Sequence, residues 1–205
     1  FQSLKEFLFL KEKIKKKIFN IIEIGAGYGR TCHAFLSLNN DLKKYLIIDF
    51  PEMLSLSSRY LKRVLDNKNF KKVSFIDANQ NLDNITELNL KNCLTININS
   101  FNEMSDNAFN IYIELINGIG GFFYTKNPVA KFNDPDITTN IKRKKIALNT
   151  GQIKKIINIF DEKELNKSKK NYIQTYLPST KWRIISIKFS RPLIYYLQAL
   201  YEKKN

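Results

Sequence analysis

The sequence predicts an α/β protein: a mostly parallel sheet closed by a C-terminal antiparallel hairpin, with helices on both faces. Three observations carry this. Short apolar runs rich in Ile, Leu, Val and Phe alternate with amphipathic segments as far as residue 128, and strands alternating with helices imply parallel pairing with right-handed crossovers. The first apolar run ends in three closely spaced glycines. The tail gives up that alternation for β-rich runs only a few residues apart, the pattern of an antiparallel pair.

Residues 2–17 read as an amphipathic helix, with Leu4, Phe7, Leu8 and Ile14 at helical spacing among lysines. Such a helix would pack on the sheet or close a site. FNIIEIG (19–25) is a buried parallel strand by its β-branched run, followed by a helix over 30–38 ended by Asn39 and Asn40. KYLIIDF (44–50), KVSFIDA (72–78), CLTININSF (93–101) and GGFFYTKNP (120–128) are the next strands, with helices over 52–64 and 106–116. After a polar, proline-containing stretch at 133–140, a helix is expected near 152–160. NYIQTYLP (171–178) and KWRIISIKF (181–189) then form the hairpin.

At 205 residues the chain fits one domain, 1–205, divided into an N-terminal helix (1–18), cofactor-binding βα units (19–129), a lid and helix (130–168) and the hairpin (171–189). Hydrophobic content of 43% with 26% charged residues is that of a globular domain. No apolar run approaches the roughly 20 residues that cross a bilayer, and the opening segment lacks a signal-peptide cleavage site. A cytoplasmic location is the expectation. Two cysteines, Cys32 and Cys93, and one histidine cannot assemble a zinc set, so no metal is expected.

A net charge of +15 raises a nucleic-acid partner. Lys, Asn and Ile are abundant throughout, however, and the densest basic cluster, 11–17, reads as a solvated helix face.

The most informative segment is IIEIGAGYGRTCHAFL (21–36), with Gly25, Gly27 and Gly29 between strand and helix. Backbone without side chains lets a ligand approach closely, and the helix N-terminus offers free amides. The third glycine of a nicotinamide-type GxGxxG would fall at Arg30, and no Gly-Lys-Ser/Thr phosphate loop is present. What stands here is E-x-G-x-G-x-G, with Glu23 near the strand end. In open parallel sheets a second contact comes from the end of the next strand, where Asp49 lies and could grip a ribose diol; a helix N-cap is its alternative role.

The glycine motif resembles the first motif of class I S-adenosylmethionine methyltransferases. Together IGAGYGR, IIDFPE and NSFNEMS resemble bacterial sugar O-methyltransferases associated with surface-polysaccharide synthesis, over about residues 19–125. The resemblance implies a Rossmann-like methyltransferase fold, S-adenosylmethionine as cofactor and S-adenosylhomocysteine as product. Glu23 would balance the cationic methionine end, and Gly25, Ala26, Gly27 and Gly29 would make room for it. Asp49 with Phe50 would hold the ribose, Asp77 and Ala78 the adenine, and Asn99 would lie between cofactor and acceptor. Asp77 fits a plain turn equally well.

DNA and RNA enzymes that methylate exocyclic amines carry Asn/Asp-Pro-Pro-Tyr after the fourth strand. Asn99-Ser100-Phe101 lacks both proline and the terminal aromatic, which argues against a base-amine acceptor. The implied partner is a small-molecule or glycan-precursor acceptor bearing phosphate, rather than nucleic acid. Candidate general bases are His33 and Glu103; packing under the cofactor and helix capping are their alternatives. Ser100 and Tyr124 are candidate substrate contacts, with buried aromatic packing the commoner role for a residue such as Tyr124. The stretch 126–145, with Asn127, Lys131, Asn133 and Arg143, is a lid or a surface loop. Competing readings are an RNA methyltransferase acting on a ribose or ring atom, and a cofactor-binding module without catalysis.

Overall fold

The computed structural model describes residues 2–80, 82–88, 90–132 and 141–204, except the side chains of Asp83, Glu87 and Arg143. The chain runs α1 (Gln2–Lys13), β1 (Asn20–Ile24), α2 (Arg30–Leu38), β2 (Lys44–Asp49), α3 (Pro51–Val64), α4 (Asn67–Phe70), β3 (Val73–Asp77) and α5 (Asp83–Glu87). It continues through β4 (Cys93–Ile98), a 3-10 turn (Phe101–Glu103), α6 (Asp106–Ile119), β5 (Phe122–Pro128), α7 (Ile141–Asn149), α8 (Glu162–Tyr176), β6 (Trp182–Phe189) and β7 (Tyr196–Lys203).

One seven-stranded sheet has the order β3-β2-β1-β4-β5-β7-β6. β1 to β5 are parallel, and β7 inserts antiparallel between β5 and β6. Both faces are covered, which is why the strands read as continuous apolar runs rather than alternating ones. Ile21, Tyr45, Ile47, Leu94 and Tyr124 pack with Phe9 of α1 and Phe35 of α2. Ile22, Ile24, Leu46, Ile48 and Phe123 pack with α6 and with Tyr172 and Tyr176 of α8. Strand order reverses between β1 and β4, and Ile24 lies opposite both Ile48 and Asn97. The carboxyl ends of β1, β2 and β4 therefore open together at the switch point, where ligands bind such sheets.

Two expected elements are corrected. Residues 171–178 are not a strand: 171–176 complete α8, and Leu165, Ser168, Tyr172 and Tyr176 are buried at helical spacing. Tyr172 and Tyr176 mimic a short β run locally, but their i, i+4 separation places both on one helix face. Asp161 starts that helix, its Oδ1 accepting from the amides of Lys163 (2.8 Å) and Glu164 (3.2 Å). The partner of β6 is β7, whose residues 197–202 are buried, so the hairpin is formed by Trp182–Phe189 and Tyr196–Lys203, and the expected second strand is in fact its first.

The helix expected near 152–160 is also absent from that segment. Backbone bonds from Lys131 N to Lys155 O (2.7 Å) and from Ile157 N to Lys131 O (3.1 Å) hold it extended against 131, and helix forms instead at α7. α1 ends at Lys13 rather than 17. Among the described residues no helix is long and apolar enough to cross a membrane.

Candidate active site

The glycine turn is shaped by positive backbone angles, with φ of +71° at Gly25, +58° at Gly27 and +89° at Gly29. A β-carbon at Gly25 would fall 2.3 Å from Ser100 Oγ, so this residue is glycine for two reasons, angle and space. At Gly27 a β-carbon would meet, among the described residues, only Met53 Cε, at 4.0 Å, which leaves space on that side of the turn. The turn borders a cleft of about 470 Å³ lined also by Glu23, Asp49, Phe50, Asn99, Ser100 and Glu103. A second lobe of about 220 Å³ shares Gly25, Asp49, Phe50 and Met104 and adds Ala78, Asn79, Leu82, Ile111 and Tyr112.

Asp49 stands where the lobes meet. Its Oδ2 accepts from Gly27 N and its Oδ1 from Phe50 N, both at 2.9 Å. Burial raises its pKa against the pull of those amides. Each carboxylate oxygen has a second lone pair, so the group can still accept two hydroxyls. Pro51 begins α3 directly after the exposed Phe50, which forms an apolar wall.

Glu23 is buried, and Tyr45 Oη donates to its Oε2 at 2.7 Å. Burial pushes its pKa up to about 7, opposed by hydrogen bonds from Tyr45 and Thr31 and assisted by the charge of Glu6. α1 supplies that neighbour: Glu6 Oε1 accepts from Lys126 Nζ at 2.8 Å in a buried pair, and Gln2 Oε1 accepts from Arg30 Nη1 at 3.0 Å. The amphipathic helix expected to pack on the sheet thus also holds Arg30, which lines the cleft, without lining it itself.

At the end of β4, Asn99 has φ of +61°, a conformation Asn tolerates better than most residues. Its amide donates to Lys126 O at 2.9 Å and its Oδ1 accepts from Tyr196 Oη. Ser100 lines the cleft, but its hydroxyl donates to Ile24 O at 3.1 Å, beside Asn97 Nδ2, which donates to the same carbonyl. Phe101 turns inward, stacked on Tyr176 at 6.1 Å between centroids.

Of the remaining candidates, Ala26 and Ala78 line the two lobes. Asp77 takes the turn role: its Oδ1 accepts from Asn79 N (2.8 Å) and Nδ2 (3.0 Å). Glu103 is exposed on the 3-10 turn and faces the main lobe. His33 is not among the lining residues; its Nδ1 bonds Tyr60 Oη at 2.9 Å, in the packing between α2 and α3. Tyr124 is likewise placed out of reach, fully buried with its hydroxyl donating to Gln198 at 2.9 Å. Asn127 belongs to β5 rather than a loop, its Nδ2 donating to Asn97 Oδ1 (2.9 Å) and Thr125 Oγ1 (2.8 Å). Asn133 and the stretch 133–140 lie outside the described residues, as does the side chain of Arg143.

Tyr28, Met53, Met104, Leu82, Ile111 and Tyr112 were not legible as lining residues. Tyr112 looks like any core aromatic of α6, and only its position below Asp49, whose charge helps burial push its pKa to about 12, marks it.

No protein-family model matches the sequence, and no curated protein matches it. Solved structures do. The glycopeptide N-methyltransferase MtfA, complexed with S-adenosyl-L-methionine, superposes with a TM-score of 0.63 at 10% identity over 98% of this chain and 94% of its own. The methyltransferase domain of bacterial CtHen1 gives 0.61 at 10% identity, over 99% and 97%. The mitomycin 7-O-methyltransferase MmcR gives 0.56 at 9% identity; 91% of this chain is covered, and it spans 49% of that protein. The fold is the Rossmann-like fold of S-adenosylmethionine-dependent methyltransferases.

Proposed function

We propose that this chain is an S-adenosylmethionine-dependent O-methyltransferase, acting on a sugar or sugar-nucleotide-linked hydroxyl in bacterial surface-polysaccharide synthesis. The observation that carries the cofactor reading is the two-lobed cleft with Asp49 at its waist, a carboxyl at one end and apolar side chains at the other. The residues fit that cofactor. Glu23 would answer the methionine ammonium, the open turn at Gly27 would admit the chain, Asp49 would accept the ribose hydroxyls, and Leu82, Ile111 and Tyr112 would enclose the adenine.

S-adenosylmethionine supplies a methyl group made electrophilic by a sulfonium. The protein must hold an acceptor oxygen in line with it and take up a proton. Glu103 is the base we assign, since its carboxylate borders the main lobe while the His33 ring is committed to Tyr60. An oxygen acceptor is supported by Phe101: the aromatic that follows Asn99-Ser100 is buried in the core and offers no surface on which a base could stack. A small acceptor is favoured over RNA by the location of the 11–17 basic cluster. Lys16 lies over the ring of Phe122, the first residue of β5, at the amino ends of the parallel strands and so opposite the cleft at their carboxyl ends.

An acceptor screen read by S-adenosylhomocysteine release tests this. Turnover on glycosyl phosphates or nucleotide sugars is expected. Turnover only on RNA would replace the reading, and cofactor binding without turnover on any acceptor would favour a non-catalytic module.

A further inference from the structure

Beside the cofactor cleft, across Asn99 and Glu103, lies a separate chamber of about 240 Å³. It is lined by Asn102, Lys131, Phe132, Tyr176, Tyr195 and Tyr196, among others. Tyr196 ties the two spaces together, because its ring lines the chamber while its hydroxyl bonds Asn99 in the cleft. The chamber wall is fixed in position: Val129 N donates to Tyr195 O (2.9 Å) and Ser190 N to Tyr196 O (2.8 Å), and the two tyrosine rings meet edge to face at 5.0 Å.

The chamber's chemistry is uneven. Three aromatic side chains, Phe132, Tyr195 and Tyr196, are incompletely covered, an arrangement that suits the face of a ring. Lys131 brings a half-buried ammonium whose Nζ donates to Asn102 O at 2.9 Å, leaving further protons to donate. Among the described residues no carboxylate lies within ion-pair distance of it, and burial lowers its pKa. Asn102 Oδ1 is buried with no hydrogen-bond partner among the described residues. A partly desolvated cation that feels the charge of Glu103 but forms no ion pair among the described residues, beside an unused acceptor, favours an anionic ligand that also carries donors.

We propose that this chamber seats the acceptor, and that it selects a hydroxylated ring bearing a phosphate or carboxylate, held by Lys131 against the tyrosine wall. Glu103, whose charge acts on both Lys131 and Tyr196, stands at the passage between chamber and cleft and faces the hydroxyl to be methylated. This rests on the cleft being the cofactor site, but the chamber's selectivity is measurable without turnover.

The test is calorimetry with α-D-glucose 1-phosphate, D-glucuronate and methyl α-D-glucoside, with and without S-adenosylhomocysteine. The phosphate or the carboxylate sugar should bind at least about tenfold more tightly than the neutral glucoside, the scale of a charged hydrogen bond; which of the two binds better identifies the anion. Lys131→Met should abolish the preference and Lys131→Arg retain it, both with unchanged S-adenosylhomocysteine affinity. Lys154→Met, at an exposed pair with Asp106, should change nothing. Equal binding of all three sugars, a preference that survives in Lys131→Met, or no sugar binding at all overturns the proposal. If the anionic sugar binds through Lys131 but S-adenosylhomocysteine does not bind, the chamber stands and the cofactor reading falls.

Discussion

Tyr45 Oη donates a 2.7 Å hydrogen bond to Glu23 Oε2 across the buried β1–β2 pair, so the acid at the closed end of the cleft is held by a neutral donor rather than a cation. With its pKa near 7, Glu23 is poised to change charge when a cationic group arrives. Binding of S-adenosylmethionine at pH 6 should release a proton, seen as a dependence of the calorimetric enthalpy on buffer ionisation enthalpy. Affinity should rise from pH 5.5 to 7.5 and then level. Glu23→Gln should bind more weakly and lose the proton release; a wild-type profile in that variant would remove Glu23 from the site.

The same shift fixes a stability trend. A carboxyl with a folded pKa near 7, against 4.5 in the unfolded chain, favours folding below about pH 4.5, and that contribution is lost as pH rises through 7. Glu23→Gln should therefore gain in thermal stability relative to wild type between pH 5 and pH 8, by a difference on the order of 3 kcal/mol at most. A constant difference across that range would contradict the buried, protonated state.

Asp49→Ala removes the acceptor of two backbone amides and the proposed ribose contact together. Cofactor affinity should fall about tenfold or more, and the melting temperature should fall as well. Asp49→Asn keeps the shape and one acceptor oxygen, so it should recover much of the stability and less of the affinity.

Gly25→Ala puts a methyl group into Ser100 Oγ at a positive φ. A loss of roughly 1–3 kcal/mol in stability is expected, with cofactor binding abolished. Gly25→Ala paired with Ser100→Gly should regain stability in part, because the clash is relieved while the backbone angle stays unfavourable.

The base assignment separates by kinetics. Glu103→Gln should lower kcat by about 10²–10⁴ while leaving cofactor affinity unchanged. His33→Gln should retain turnover, since the ring lies against Tyr60. The reverse pattern would move the base to His33.

Legibility in the sequence followed how local the determinants are. Glycines at positive φ after a β-branched run, and an acid at the end of the next strand, are encoded within a few residues; Gly25, Gly27, Glu23 and Asp49 border the cleft, whereas Gly29 faces Leu61 and Ser57 of α3. β7 was missed because YLQALYEK is a strand only in its place between β5 and β6, where both of its faces are covered. Tyr124 misled because a strand-end position does not tell which face a side chain takes; register places it on the α1 side, under Phe9. The network from Asn97 through Asn127 to Tyr172 is joined by contacts between residues 30 and 45 positions apart, beyond any local pattern.

Calorimetry of the purified protein with S-adenosylmethionine, S-adenosylhomocysteine and NAD decides whether the cleft is a methyl-donor site. Micromolar binding of the first two, weakened in Asp49→Ala, and none of NAD is the predicted result. A folded protein that binds neither methionine cofactor would make the glycine turn a purely structural strand–helix connection and would contradict the account.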